Sequence, residues 1–135
     1  MDADGLTTLP SHHGPQETMD RLEAAVQAKG LTVFARIDHA AGAAAVGLAL
    51  RPTELLIFGN ARGGTPAMQA VQTIGIDLPL KALVWQDAAD RTWLSYNRPD
   101  WLASRHRIGD AAAETTKAMA ALLHALATAA TDAGQ

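Results

Sequence analysis

The chain has 135 residues, about the size of one domain, and 48% of them are hydrophobic. A chain of this length buries enough surface to fold without a metal ion or a disulfide. Its 11 basic and 14 acidic residues give no excess of positive charge for binding nucleic acid. It has no cysteine, which excludes thiol nucleophiles, disulfides and thiolate-bound metals. We therefore expect one domain over residues 1–135 with no nucleic-acid partner.

The ends of the chain and its hydropathy bear on its location. Two acidic residues stand in Met1–Gly5, where a secretory signal carries Lys or Arg. No uninterrupted run of about 18 apolar residues occurs. We expect a cytoplasmic protein that has no membrane partner, and the lack of cysteine fits a reducing compartment.

Strand and helix patterns alternate in the first part of the chain. Residues 6–10 predict a short strand. A helix begins at Pro15, where the missing N–H costs nothing, and ends at Gly30. Its apolar positions, spaced by three or four residues, are Met19, Leu22 and Val26.

A second strand and a short alanine-rich segment follow. From Leu31 to Ile37 apolar residues alternate, which predicts a half-buried strand. The expected inner face is Leu31, Val33, Ala35 and Ile37, and the expected outer face is Thr32, Phe34 and Arg36. Asp38 is placed to cap a short helix over residues 39–46.

The middle of the chain predicts a core strand, a glycine-bearing loop and a further helix. Residues 54–58 form a brief apolar run, and residues 59–64 read as a loop. Thr65 is then the expected N-cap, with Pro66 at the first helical position.

The last part of the chain predicts a hairpin and a long helix. Residues 80–85 and 92–96 are expected as strands joined by a turn. A helical turn at 100–106 precedes the clearest helix, over about 110–130, and 131–135 is expected to be a frayed tail. The mixture predicts an α+β fold: a mostly antiparallel sheet with helices packed on one face.

Five segments in order resemble the domain-of-unknown-function family number 302, over about residues 6–108. They are Phe34-Ala35-Arg36-Ile37-Asp38-His39, Ile57-Phe58-Gly59-Asn60, Gly64-Thr65-Pro66-Ala67-Met68-Gln69, residues 77–85, and Trp93-Leu94-Ser95-Tyr96-Asn97. The resemblance implies helices on one face of an antiparallel sheet and assembly as a homodimer. The chain departs from the family pattern at Ala61, where the family has proline, and at Ala67, where it has leucine.

The first candidate site is the segment from Gly59 to Thr65, between a buried strand and a helix start. Free N–H groups at a helix N-terminus, with glycines that allow close approach, favour an anion such as phosphate or carboxylate. Asn60 and Thr65 would add side-chain hydrogen bonds beside Gly64. The segment lacks the lysine of a P-loop, and a tight turn with a helix cap that only satisfies the backbone is the preferred alternative.

Two further candidates carry acid or base groups. His39, after a strand end, suits a general base or a metal ligand, whereas Asp38 suits a helix cap. Asp77 precedes Leu78-Pro79 in a turn, and it would pair with His39 if the two met in space. Tyr96 closes the last strand and would line the same cleft or begin a turn. His106 lies between two arginines, which favours a solvated basic edge.

Three hypotheses for function follow. The first is a homodimeric module that binds a small ligand, with an anion as one candidate, through Asp38, His39, Asn60, Gly64, Thr65, Asp77 and Tyr96. The second is an enzyme of unknown reaction that uses His39 as base with Asp77 or Asn60. The third is binding of a metal or haem by a histidine. The sequence names no cofactor, and no metal site is expected.

Overall fold

The computed structural model of the chain describes residues 3–134, in which five strands form one antiparallel sheet. The strand order is β1-β5-β4-β3-β2, so β1 and β2 are the edges. The strands are β1 (Leu6–Pro10), β2 (Thr32–Asp38), β3 (Thr53–Gly59), β4 (Leu80–Gln86) and β5 (Thr92–Asn97).

Helices fill most of the connections between these strands. Two short 3-10 helices cover Gln72–Ile76 and Asp110–Ala112. The α-helices are α1 (Pro15–Ala28), α2 (His39–Ala45), α3 (Ala61–Ala70), α4 (Pro99–Arg105) and α5 (Ala113–Thr131). The predicted α+β class, the hairpin of β4 and β5 and the long C-terminal helix are confirmed.

The hydrophobic core lies between one face of the sheet and the helices. Leu56 and Phe58 of β3 are completely buried, and they belong to one cluster with side chains of α1 and α5. The helical members include Met19, Leu22, Leu123 and Leu126. Burial of a side chain such as Phe58 stabilises the fold by about 1.5–3 kcal/mol.

The other face of the sheet also carries apolar side chains. Because side chains alternate along a strand, the residues next to the core positions point away from the helices. We call this surface the open sheet face; its apolar residues are Leu55, Ile57, Leu83, Trp85 and Trp93, and its polar residues include Thr53, Lys81 and Ser95. The two tryptophan rings stack with their centroids 6.2 Å apart. None of these five apolar residues belongs to the helix-side core of residues 3–134.

The predicted alternation in β2 is wrong at one point. The pairing of β2 with β3 shifts between Val33 and Ala35, which is a β-bulge at Phe34. Val33 therefore lies on the helix side with its partner Phe58, whereas Ala35 pairs with Ile57 on the open sheet face. A single extra residue reverses the faces of everything that follows it.

The predicted start of α3 is also wrong. The helix begins at Ala61, and its N-cap is Asn60 rather than Thr65. Asn60 Oδ1 accepts the N–H of Gly63 at 2.6 Å, and a Cβ on Gly63 would lie 2.9 Å from this oxygen. Glycine at 63 thus permits the cap, and the helix continues through Pro66.

The C-terminal end of α5 and the residues after it are hydrogen bonded to α1 and to the loop that precedes α1. His13 Nε2 donates to the carbonyl of Asp132 at 2.6 Å, and Arg21 donates to the carbonyls of Ala129 and Gly134. Asp132 belongs to the segment expected as a frayed tail, and this part of it is hydrogen bonded. Gln135, at the end of that segment, lies outside the described residues.

Candidate functional site

A cavity of about 590 Å³ lies at the start of α3. Its walls come from α3, α5, the end of β3 and the segment that leads into β4. The large lining side chains are Leu31, Phe34, Pro66, Met68, Leu78, Pro79, Leu80, Met119 and Leu122. A mostly apolar hollow of this volume is typical of a site for a small organic molecule.

Glycines and a bulged strand give the cavity its shape. Gly64 and Gly75 line it, and a Cβ on Gly75 would lie 3.3 Å from the sulfur of Met68. Phe34, the bulged residue of β2, contributes to the wall and is 55% exposed. Small residues thus leave space beside Met68, and Phe34 stands on the solvent side.

Four lining residues carry polar side chains: Asn60, Arg62, Glu114 and Thr115. Asn60 uses its carbonyl oxygen for the α3 cap. Arg62 and Glu114 are exposed and form no ion pair with any residue of 3–134. The cavity therefore combines an apolar interior with two charges that the protein leaves unpaired.

A cluster centred on Asp77 supports the wall that Leu78 and Pro79 provide. Asp77 accepts two hydrogen bonds from Arg105 at 2.9 Å, and His106 Nε2 bonds to its carboxylate. His106 Nδ1 bonds to the hydroxyl of Thr73 at 2.9 Å. The cluster thus connects α4 to the segment before β4.

Lys81, which lies in β4, also binds the segment before β4. Its Nζ donates to the backbone carbonyls of Asp77 at 3.1 Å and Pro79 at 2.9 Å. Partial burial lowers the pKa of Lys81, and the nearby Asp77 carboxylate opposes this shift. Backbone carbonyls therefore satisfy an ammonium group that has lost part of its hydration.

This role of His106 differs from the one expected from the sequence. Its side chain is 9% exposed and is bonded at both ring nitrogens, so the expected solvated basic edge is wrong. The flanking arginines dominate the local sequence, whereas the partner Asp77 lies 29 residues away. Thr73, His106 and Asp77 resemble a nucleophile-base-acid series, but none of the three lines the cavity.

The structure does not bring His39 to Asn60 or Asp77. His39 follows Asp38, which pairs with Glu54 at the start of β3, whereas Asn60 follows the end of β3. A strand of this length separates its ends by about 20 Å. Asp77 precedes Leu80, which pairs with Phe58, so it lies at the Asn60 end of β3. The shared pocket of His39, Asn60 and Asp77 is therefore absent from the described residues.

The other predicted site residues have separate positions. The Asp38 carboxylate caps α2 by accepting the N–H of Ala41 at 2.9 Å. Gly64 lines the cavity, whereas Thr65 is exposed within α3 and does not. Tyr96 packs against the helix-side core. Of the residues predicted to bind a ligand, Asn60 and Gly64 are the two in the cavity wall.

Metal-binding clusters and membrane-spanning helices are both absent from residues 3–134. No cluster of three or more His, Asp or Glu side chains there is arranged to hold a metal ion. No helix in the same range has the length and apolar character needed to span a bilayer.

Comparison with known proteins identifies the family. The family model described as domain of unknown function DUF302 matches residues 7–126. This chain belongs to the DUF302 family. The resemblance inferred from the five sequence segments is therefore confirmed.

Solved structures support the DUF302 fold. The crystal structure of an uncharacterized conserved DUF302 protein from Bacillus stearothermophilus matches with a TM-score of 0.83 and 22% sequence identity. The match covers 95% of this chain and 99% of that one. At this identity the likeness establishes the architecture of the DUF302 domain.

Curated relatives contain a DUF302-like region within longer proteins. A Brucella suis protein named "Fluoride-specific ion channel FluC 1" is 49% identical over 115 residues, which are 85% of this chain and 45% of that protein. Proteins named FluC 1 in Brucella abortus and FluC 2 in Brucella melitensis are also 49% identical, with 43% of each covered. The chain thus spans less than half the length of these relatives.

Proposed function

We propose that this DUF302 domain binds a small, mainly apolar molecule in the cavity between α3 and α5. The cavity itself is the observation that carries the proposal, because it combines a volume of about 590 Å³ with walls made largely of hydrocarbon. Apolar surface of this kind gains free energy when a ligand displaces its water. Asn60 and Gly64 belong to this site, whereas His39 and Asp77 do not.

The ligand that we propose differs from the ion in the names of the Brucella relatives. A fluoride ion carries a full negative charge, and it loses hydration free energy wherever hydrocarbon replaces water around it. Most of the cavity wall is hydrocarbon. We therefore propose an organic ligand rather than fluoride for this domain.

The proposal is tested by titration with N-phenyl-1-naphthylamine, an uncharged probe whose fluorescence rises in apolar surroundings. Ala118 lines the cavity from an exposed position on α5, so Ala118→Phe fills the site without disturbing the core. We expect wild type to bind the probe and Ala118→Phe to lose most of that binding.

Ala121→Phe is the matched control, because Ala121 is exposed on the same helix but does not line the cavity. We expect this variant to bind the probe as wild type does. Equal binding by all three proteins would place the probe elsewhere and reject the cavity as the site.

We also propose that the chain forms a homodimer through the open sheet face. Antiparallel sheets that face water carry polar side chains there, whereas this face presents Leu55, Ile57, Leu83 and two stacked tryptophans. Ile37 of β2, which pairs with Leu55, is 39% exposed. The segment between β2 and β3 has further exposed apolar side chains: Val46 (72%), Leu48 (65%) and Leu50 (49%). A second copy supplies a matching apolar surface by symmetry.

Sedimentation at micromolar concentration tests the homodimer. We expect twice the mass of one chain for wild type, and one chain mass for Leu83→Glu, which puts a charge on the open sheet face. Ala121→Glu adds the same charge on an exposed helical position and should remain dimeric. A monomeric wild type would show that another partner, or no partner, covers this face.

The enzyme and metal alternatives have less support from the geometry. His39 is exposed at the opposite end of β3 from Asn60, so the proposed base lacks both of its proposed partners. Within residues 3–134, histidine-mediated binding of a metal or haem would have to use fewer than three His, Asp or Glu side chains. A metal-free, colourless purified sample would count against the third hypothesis.

A cytoplasmic location remains part of the proposal. The absence of cysteine from all 135 residues supports it, since cysteine-poor chains need no oxidising compartment to fold. Fractionation of cells that produce the protein should place it with cytoplasmic markers, and recovery with the membrane or outside the cell would contradict this.

A further inference from the structure

Arg62 occupies an electrostatically unfavourable position at the cavity. It lies in the first turn of α3, where the helix dipole contributes partial positive charge and where no acidic residue is present. It is exposed and has no ion-pair partner within residues 3–134. The start of α3 thus presents concentrated positive charge at the wall of an apolar cavity.

Glu114, the acidic residue of the cavity wall, has a different explanation. It lies in the first turn of α5, where a carboxylate is stabilised by the dipole of its own helix. Its position is therefore favourable without a ligand, whereas the position of Arg62 is not. This asymmetry favours a negatively charged group on the ligand.

We propose that the ligand is an amphipathic organic acid, with a carboxylate or phosphate at Arg62 and Asn60 and a hydrocarbon body along Met68, Met119 and Leu122. This inference rests on the proposed ligand-binding function. The cavity volume, about 590 Å³, equals roughly 20 water-sized groups at about 30 Å³ each, so a molecule of about 10–20 non-hydrogen atoms fits. The anionic head remains near solvent, while the apolar body is buried.

Competition with the bound fluorescent probe tests the head group. Decanoate, 1-decanol and decylamine each contain ten carbons in one unbranched chain, and their head groups are anionic, neutral and cationic respectively. We expect decanoate to displace the probe at the lowest concentration and decylamine at the highest. Arg62→Gln should weaken decanoate about three- to tenfold, as expected for an exposed charged contact, and should leave decanol unchanged.

Lys117→Gln is the matched control for net charge, because Lys117 is exposed on α5 outside the cavity wall. Lys117→Gln should change neither the affinity for decanoate nor the affinity for decanol. If decanoate and decanol displace the probe equally from both wild type and Arg62→Gln, the proposal of an acidic head group is overturned, while the cavity remains the binding site. Stronger displacement by decylamine, lost in Glu114→Gln, would instead establish a cationic ligand.

Failure of the proposed function has a different signature. If Ala118→Phe binds the uncharged probe as wild type does, the cavity is not the binding site, whatever the head group. If the probe is bound in the cavity but none of the three competitors displaces it, the inference about an amphipathic acid is wrong and the cavity proposal stands.

Discussion

Gly5 shows how one residue can depend on a contact far along the chain. Its backbone has φ of +79°, and a Cβ there would lie 2.3 Å from the ring of Trp101. Its carbonyl accepts the N–H of Arg98 at 2.7 Å, so the residue cannot move away freely. Only glycine fits both the positive φ and the tryptophan ring.

We predict that Gly5→Ala lowers the free energy of unfolding by about 2–4 kcal/mol, because it adds a steric overlap to the backbone strain. Gly30→Ala is the matched control. Gly30 has φ of +75° and open space around an added Cβ. Gly30→Ala should therefore lower the free energy of unfolding by about 1 kcal/mol, from backbone strain alone. Urea denaturation measures both. Equal losses would show that the Trp101 ring yields to the methyl group.

Asp87 makes the turn between β4 and β5 sensitive to acid. Its carboxylate accepts the N–H groups of Arg91 at 3.0 Å and Ala89 at 2.9 Å and the indole N–H of Trp93 at 2.9 Å. The bonds from Arg91 and Trp93 lower the pKa of Asp87 below its ordinary value of 3.8. The charged form is therefore favoured by the folded state.

The contribution of Asp87 to stability should be present above pH 3.8 and should fade as the pH falls through its lower folded pKa. We predict that Asp87→Asn is less stable than wild type at neutral pH and that the difference shrinks at acid pH. Thermal unfolding across this range measures it. A difference that is constant with pH would show that the carboxylate charge is irrelevant to the turn.

At the scale of elements, Arg36 joins α1 to the sheet. It contacts Glu54 of β3 at 2.6 Å and both Asp20 and Glu23 of α1 at 2.9 Å. These bonds, led by that to Glu54, raise the pKa of Arg36, and burial opposes them. Without the guanidinium, the three carboxylates would repel one another.

We predict that Arg36→Met costs about 1–3 kcal/mol of unfolding free energy, less than a fully buried pair because Arg36 is 26% exposed. Arg36→Lys should lose less stability than Arg36→Met, because lysine keeps the positive charge. It should still be less stable than wild type, because lysine lacks the planar fork that reaches several carboxylates. Denaturant unfolding of the three proteins gives the order. If methionine is as stable as arginine, packing of the stem matters more than the ion pairs.

Periodicity predicted most elements, and local contacts explain the exceptions. The spacing of Met19, Leu22 and Val26 predicted α1 correctly, because these three side chains form the buried face of the helix. At α3 both Asn60 and Thr65 can cap a helix, and the rule that proline prefers a first turn selected the wrong one. The bulge at Phe34 leaves no mark on the alternating pattern.

The candidate site was only partly predictable for a related reason. Asn60 and Gly64 were found because they are close in sequence to a strand end and a helix start. The opposite wall comes from α5, through Ala118, Met119 and Leu122, whose apolar spacing predicts a helix but not its neighbour. The separation of His39 from Asn60 follows from strand direction, which residue patterns alone did not give.

At the scale of the whole molecule, one face of the sheet builds the core, and we propose that the open sheet face binds a partner. If the partner is a second copy, folding and association are coupled by mass action. The melting temperature should then rise between about 1 µM and about 100 µM protein. Leu83→Glu should remove this dependence. A concentration-independent melting temperature for wild type would contradict the homodimer.

The position of β1 has a consequence for how the chain reaches this fold. β2, β3, β4 and β5 are neighbours in both sequence and space, whereas β1 crosses to the far side, where Leu6 pairs with Asn97. Within this domain β1 is synthesised before β5, so it must wait for its partner strand. Until β5 is made, the edge of β4 has no partner strand, so a nascent chain stalled before position 92 would be a target for chaperones and for aggregation.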